Sequence, residues 1–150
     1  ADEGTQEIVR YEPGGFDLTP APWFAPETAT NLTGLRRMSI DGDIWLLYPT
    51  GIVLRYNQGE SVPFSIKGSV AQIGDPIDMA VAQQSDILYI ADASSERIFA
   101  FDKNGNYLAQ YIAPEEGQLA NLRGLYLDDV AGKLFILTQS SLFQIPPPSE

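Results

Sequence analysis

The chain has 150 residues, 44% of them hydrophobic, which suits one domain with a sizeable core and argues against disorder throughout. Nine basic and twenty acidic residues leave a net charge of −11, which repels a phosphate backbone or an anionic membrane surface, so no nucleic-acid partner is expected. Without Cys or His there are no disulfides, no thiolate or imidazole metal ligands and no His-activated nucleophile.

In chain order, "IVRY" (8–11) predicts a strand, followed by a turn at "EPGG" (12–15) and a looser apolar stretch at "PAPWFA" (20–25). The next group is "MSI" (38–40), "DGD" (41–43), "IWLL" (44–47), "VLRY" (53–56), "NQGE" (57–60) and "VPFSI" (62–66). A third group runs "MAV" (79–81), "QQSD" (83–86), "LYIA" (88–91), "IFAF" (98–101), "KNGN" (103–106) and "YLAQYI" (107–112). The last has "LYL" (125–127), "DDVAGK" (128–133), "LFIL" (134–137) and "LFQI" (142–145). In each group the apolar pieces have strand length and the polar pieces have turn composition. Asn104-Gly105 is the strongest hairpin signal, because Gly accepts positive φ without steric cost. Pro22 and Pro63 fit an outer strand, where a missing N–H leaves no gap in a ladder. Gly117 interrupts the helical propensity of 113–122, which reads as a connecting loop.

The groups repeat. Tyr11, Tyr56, Phe101 and Ile145 end equivalent strands at intervals of 45, 45 and 44, and Trp45, Tyr89 and Phe135 share another column at 44 and 46. Four antiparallel strands per unit, with the second apolar on both faces, predict an all-β fold: a β-propeller of four-stranded blades. With strands labelled a to d from the axis outward, 8–25 are strands c–d of a preceding blade, 33–66 and 75–112 are blades, and 120–146 are a partial blade. About three blades are present, which reads as half of a six-bladed ring or an open fragment. Its apolar faces point to self-association or to association with a missing N-terminal part of the propeller.

Residues 76–111 resemble an NHL-type propeller repeat. The matching places are Pro76 opening the inner strand, Asp92 after the second, and Arg97-Ile98 with Phe101-Asp102 in the third. The family's usual Asn after the Asp is absent; Ser94, Ser95 and Glu96 stand there. The chain also resembles the C-terminal propeller region of larger, often membrane-anchored bacterial proteins. That resemblance implies a sensing or scaffold part, in an extracytoplasmic setting.

Ligands of propellers usually bind at the channel mouth formed by the d–a and b–c connections. Here that mouth would hold Arg36, Arg37, Asp78 and Arg123 before or within strand a, and Tyr48, Asp92, Glu96 and Gln139 from the b–c links. Arg36 and Arg123 occupy equivalent slots, so their guanidiniums can converge on an anion or a carboxylate. The simpler reading pairs them with Asp78 or Asp92 as structural ion pairs. Asp92 itself either ligates calcium or accepts backbone N–H bonds in the b–c turn, and the second is preferred because no second carboxylate sits at metal-loop spacing.

The expected function is a non-enzymatic propeller module binding a protein or a small anionic ligand, with no cofactor. The alternative is a fragment resembling the metal-dependent gluconolactonase-type propellers.

Overall fold

A computed structural model describes residues 1–11, 19–28, 30–68 and 72–146. The turn expected at "EPGG" lies outside these residues. The described residues form thirteen strands in four antiparallel sheets. β1 (Val9–Arg10) pairs with β2 (Ala21–Pro22). β3 (Arg37–Ile40), β4 (Ile44–Leu47), β5 (Val53–Asn57) and β6 (Glu60–Val62) form a four-stranded sheet in sequence order. So do β7 (Pro76–Val81), β8 (Ile87–Asp92), β9 (Arg97–Asp102) and β10 (Tyr107–Ile112). β11 (Leu122–Asp128), β12 (Lys133–Thr138) and β13 (Leu142–Ile145) make a three-stranded sheet. The first strands β3, β7 and β11 lie side by side, as inner strands of successive propeller blades do.

The core consists of layers between sheets, and the second strands β4 and β8 each contribute to two of them. Ile44 and Leu46 of β4 face Ile8, Leu32 and Tyr56, whereas Trp45 and Leu47 face Leu88, Ile90, Phe99 and Phe101 of the next sheet. β8 repeats the division: Leu88 and Ile90 look back, and Tyr89 and Ala91 look forward to Leu125, Leu134 and Ile136. Both faces are therefore buried, which is why these strands are continuously apolar. The aromatic column is the forward-facing one. Trp45 and Tyr89 are at most 1% exposed, each contributing about 1.5–3 kcal/mol through burial, while the equivalent Phe135 is only half-buried beside Tyr126.

Two expectations are corrected. The outer strand of the second sheet is Glu60–Val62, so 63–66 is not strand. Phe64 instead sits in the connection to the next sheet, in an edge-to-face contact with Trp45, and Trp23 and Phe24 likewise fall beyond β2. Tyr11 does not lie in a strand as its equivalents Tyr56, Phe101 and Ile145 do. Tyr56 and Phe101 are buried, but Tyr11 is 54% exposed beyond the end of β1.

The connections leaving β2 and β6 each dock on the third-to-fourth-strand turn of the following sheet. The Ala25 N–H donates to Gly59 C=O (3.1 Å), and the Lys67 N–H donates to Gly105 C=O (2.8 Å). Gly59 and Gly105 both have φ of +86°. A Cβ on Gly105 would stand 2.0 Å from the Ser65 carbonyl oxygen, so left-handed geometry and close approach both require glycine there.

At the first-to-second-strand end, the "DGD" hairpin is a polar clamp between sheets. Asp41 accepts from the Trp45 indole N–H (2.8 Å) and pairs with Lys103 Nζ (2.7 Å) of the next sheet, and Lys103 also donates to Ala82 C=O (2.7 Å). Asp43 binds Arg55 and Asn57, and the Arg55 guanidinium lies 4.7 Å over the Trp45 ring. Burial alone would raise the Asp41 pKa; the Lys103 ammonium and the indole N–H hold it below the usual carboxylate value.

Two outcomes follow in urea denaturation. Gly105→Ala is expected to cost about 2–4 kcal/mol, against about 1 kcal/mol for Gly132→Ala, where φ is +60° but nothing lies within 4 Å. Lys103→Met should cost about 3 kcal/mol by stranding the Asp41 carboxylate, and adding Asp41→Leu should recover part of that loss.

Candidate functional site

The channel-mouth residues sit on the first strands β3, β7 and β11, at the end of β8 and in the adjoining connections. Asp92 ends β8 and is fully buried. Its Oδ1 accepts from the N–H groups of Gly74 (2.9 Å) and Asp75 (2.6 Å). Its Oδ2 accepts from the Ser94 hydroxyl (2.7 Å), the Ser95 hydroxyl (2.6 Å) and the Ser95 N–H (3.0 Å). One carboxylate thus joins the connection entering β7 to the β8–β9 link. Burial raises its pKa, but the Ser95 and Ser94 hydroxyls and the backbone donors more than offset this, leaving it below the ordinary value. Its lone pairs are taken up by the fold, and a Cβ at Gly74 would stand 2.6 Å from Ser94 Oγ, so a side chain there would displace one of the hydroxyls that bind Asp92.

Asp78 plays the same part between sheets. Its Oδ1 accepts from the Met79 N–H (2.8 Å) and lies 3.1 Å from Arg37 Nε of the preceding sheet. Its Oδ2 accepts from the Leu125 N–H (2.7 Å) of the following sheet. Three first strands are thereby tied through one 6%-exposed carboxylate. The Ser39 hydroxyl adds a bond to Met79 C=O (3.0 Å).

Arg36 does not meet Asp78 or Asp92. It pairs with Asp75 at 3.3 Å, a residue the sequence reading passed over, and both side chains are about half-exposed, so the pair adds little stability. The signal for Asp75 was its place directly before Pro76, in the connection that carries the mouth. Arg123 is exposed, and it pairs with neither Asp78 nor Asp92. The Tyr48 hydroxyl turns away to donate to Asn31 C=O (2.6 Å); burial first, then neighbouring Tyr56, raises its pKa and keeps it neutral. Glu96 closes the β8–β9 link at φ +51° and is half-buried. The Gln139 N–H donates to Asn121 C=O (3.1 Å), leaving its side chain exposed. Contacts therefore join Arg36, Arg37, Asp75, Asp78 and Asp92 around the start of β7, with Arg123 and Gln139 on the neighbouring sheet.

No family model and no curated protein matches the chain. Among solved structures, it is similar to a chain in the crystal structure of a nidogen–laminin complex, with TM-score 0.61 and 15% identity over 90% of this chain and 51% of that one. A streptogramin B lyase structure gives TM-score 0.49 and 14% identity over 98% of this chain and 50% of that one. The chain spans about half the length of both. The first similarity shows the fold, a propeller of repeated blades, which the four sheets and their layered core display directly.

Asp92 should carry a pH-dependent share of stability. Its folded pKa lies below the unfolded value of about 3.9. Its contribution is therefore fully present above roughly pH 5 and is lost as pH falls through the folded pKa. Asp92→Asn is expected to cost about 2–3 kcal/mol at pH 7, with the gap to the native chain narrowing toward pH 2, as read from urea midpoints across that range.

Proposed function

We propose that the chain is a non-enzymatic binding module of NHL-type repeats that recognises a carboxylate-bearing protein partner at the channel mouth. The observation that carries this reading is the unequal commitment of the charges there. Asp78 and Asp92 are each engaged by several donors of the fold, which leaves them poor candidates for a general base or a metal ligand. Arg123 is exposed and Arg36 is held only in an exposed pair, so the groups open to a ligand include two guanidiniums. The NHL-type assignment is supported by the work its signature residues do. Pro76 opens β7, Asp92 welds two links, and Asp102 caps the β9–β10 turn through Asn104 and Asn106. A protein partner accords with the similarity to a chain from a protein–protein complex.

The test uses a short Asp/Glu peptide followed by amide NMR. Saturable shifts at Arg36, Arg123 and Gly124 are expected, with affinity about tenfold weaker in Arg123→Ala. Unmoved amides at these residues, or a melting temperature raised several degrees by calcium or zinc, would reject this reading in favour of a metal-dependent one.

A further inference from the structure

Arg36 and Arg123 occupy the same place in two sheets, one residue before Arg37 and Gly124, which pair with Leu47 and Leu137. Their surroundings differ. Arg123 is exposed and forms no ion pair among the described residues. Arg36 already has a carboxylate: its Nη2 lies 3.3 Å from Asp75 Oδ1 of the following sheet. Side-chain exposures of 44% and 50% leave that pair open to solutes.

Main-chain bonds aim Asp75 at Arg36. The Asp75 N–H donates to Asp92 Oδ1 (2.6 Å), and its C=O accepts from the Ala93 N–H (2.9 Å). Pro76 follows and keeps the residue before it out of the helical region. On the other side, the Arg36 N–H donates to Leu47 C=O (2.9 Å). With both backbones fixed, the carboxylate leaves the guanidinium by turning its own side chain.

The repeat does not call for an acid at this place. Arg37, Asp78 and Gly124 hold one register against Leu47, Ala91 and Leu137. Counting back from them, the position of Asp75 is taken by Gly34 in the second sheet and by Asn121 in the last. Asn121 serves there through its main chain, its C=O accepting from the Gln139 N–H (3.1 Å). The fold likewise uses the main chain of Asp75, and its carboxylate is left for Arg36. An exposed pair adds little to stability, but a ligand competing for the guanidinium has to displace it.

We propose that Asp75 is an autoinhibitory stand-in for the ligand's carboxylate at Arg36. It occupies the guanidinium until an acidic ligand, engaged first by the unpaired Arg123, displaces it, and so it lowers the affinity of the mouth for acidic segments. This inference rests on the reading of the mouth as a carboxylate site.

The probe is an acetylated hexapeptide of alternating Asp and Glu, titrated against the full chain by amide NMR. Asp75→Asn is expected to bind it about threefold to fivefold more tightly than the native chain, the upper range of an exposed ion pair. In an Arg36→Ala background the same substitution should change affinity by less than about twofold, because the group it releases is gone. Asn keeps the main-chain bonds, so the urea midpoint of Asp75→Asn should stay near that of the native chain. No gain on Asp75→Asn would overturn the proposal. An equal gain with and without Arg36 would overturn it too, making Asp75 a general repulsive charge. In either case, saturable shifts at Arg123 and Gly124 of the native chain would leave the carboxylate-binding mouth standing without its latch. Absence of shifts there in both the native chain and Asp75→Asn would reject the mouth reading and the latch together.

Discussion

The two four-stranded sheets depend on having a neighbour on each face of their second strands. β4 and β8 present alternate side chains to two different layers, so neither strand can bury its residues within its own sheet. A single four-stranded sheet would leave Trp45 and Leu47, or Tyr89 and Ala91, in water, and the loss would fall on the largest apolar term available to the fold. Stability is therefore a property of contacts between repeats, as in other repeat architectures. The half-buried Phe135 shows the same column where, among the described residues, no following sheet covers it.

Apolar layers are tolerant of sliding, and the polar groups at the two ends limit it. At the mouth, Asp78 reaches an arginine on one side and a backbone N–H on the other, fixing the heights of three inner strands at once. At the opposite end, Asp41 and Asp43 hold Lys103 and Arg55 beside the Trp45 ring. Buried carboxylates would be costly alone, and here each is compensated by several directed donors. The depressed pKa values of Asp41 and Asp92 report that compensation: burial opposes ionisation, and hydrogen bonds more than restore it.

This division of labour bears on recognition. Carboxylates that mark the repeat are occupied with holding sheets and links together. The exposed arginines at the mouth, by contrast, are left largely uncommitted by the repeat.

Much of the architecture was legible because strand order and layer packing leave periodic traces. The columns at 44 to 46 residues, the continuous apolar second strands and the turn residues between them all follow from contacts that recur with each blade. The candidate site was legible only as a set of positions near the starts of inner strands. Which arginine meets which aspartate depends on the offset between adjacent sheets, and nothing in a one-dimensional pattern records that offset. Arg36 with Asp75, Arg37 with Asp78, and Arg123 with neither Asp78 nor Asp92 are outcomes of tertiary packing. The same holds for Gly105: its turn was visible in Asn104-Gly105, whereas the Ser65 carbonyl pressed against it belongs to a segment forty residues earlier. Local backbone and burial preferences are written along the chain; distances between repeats are decided only when the sheets stack.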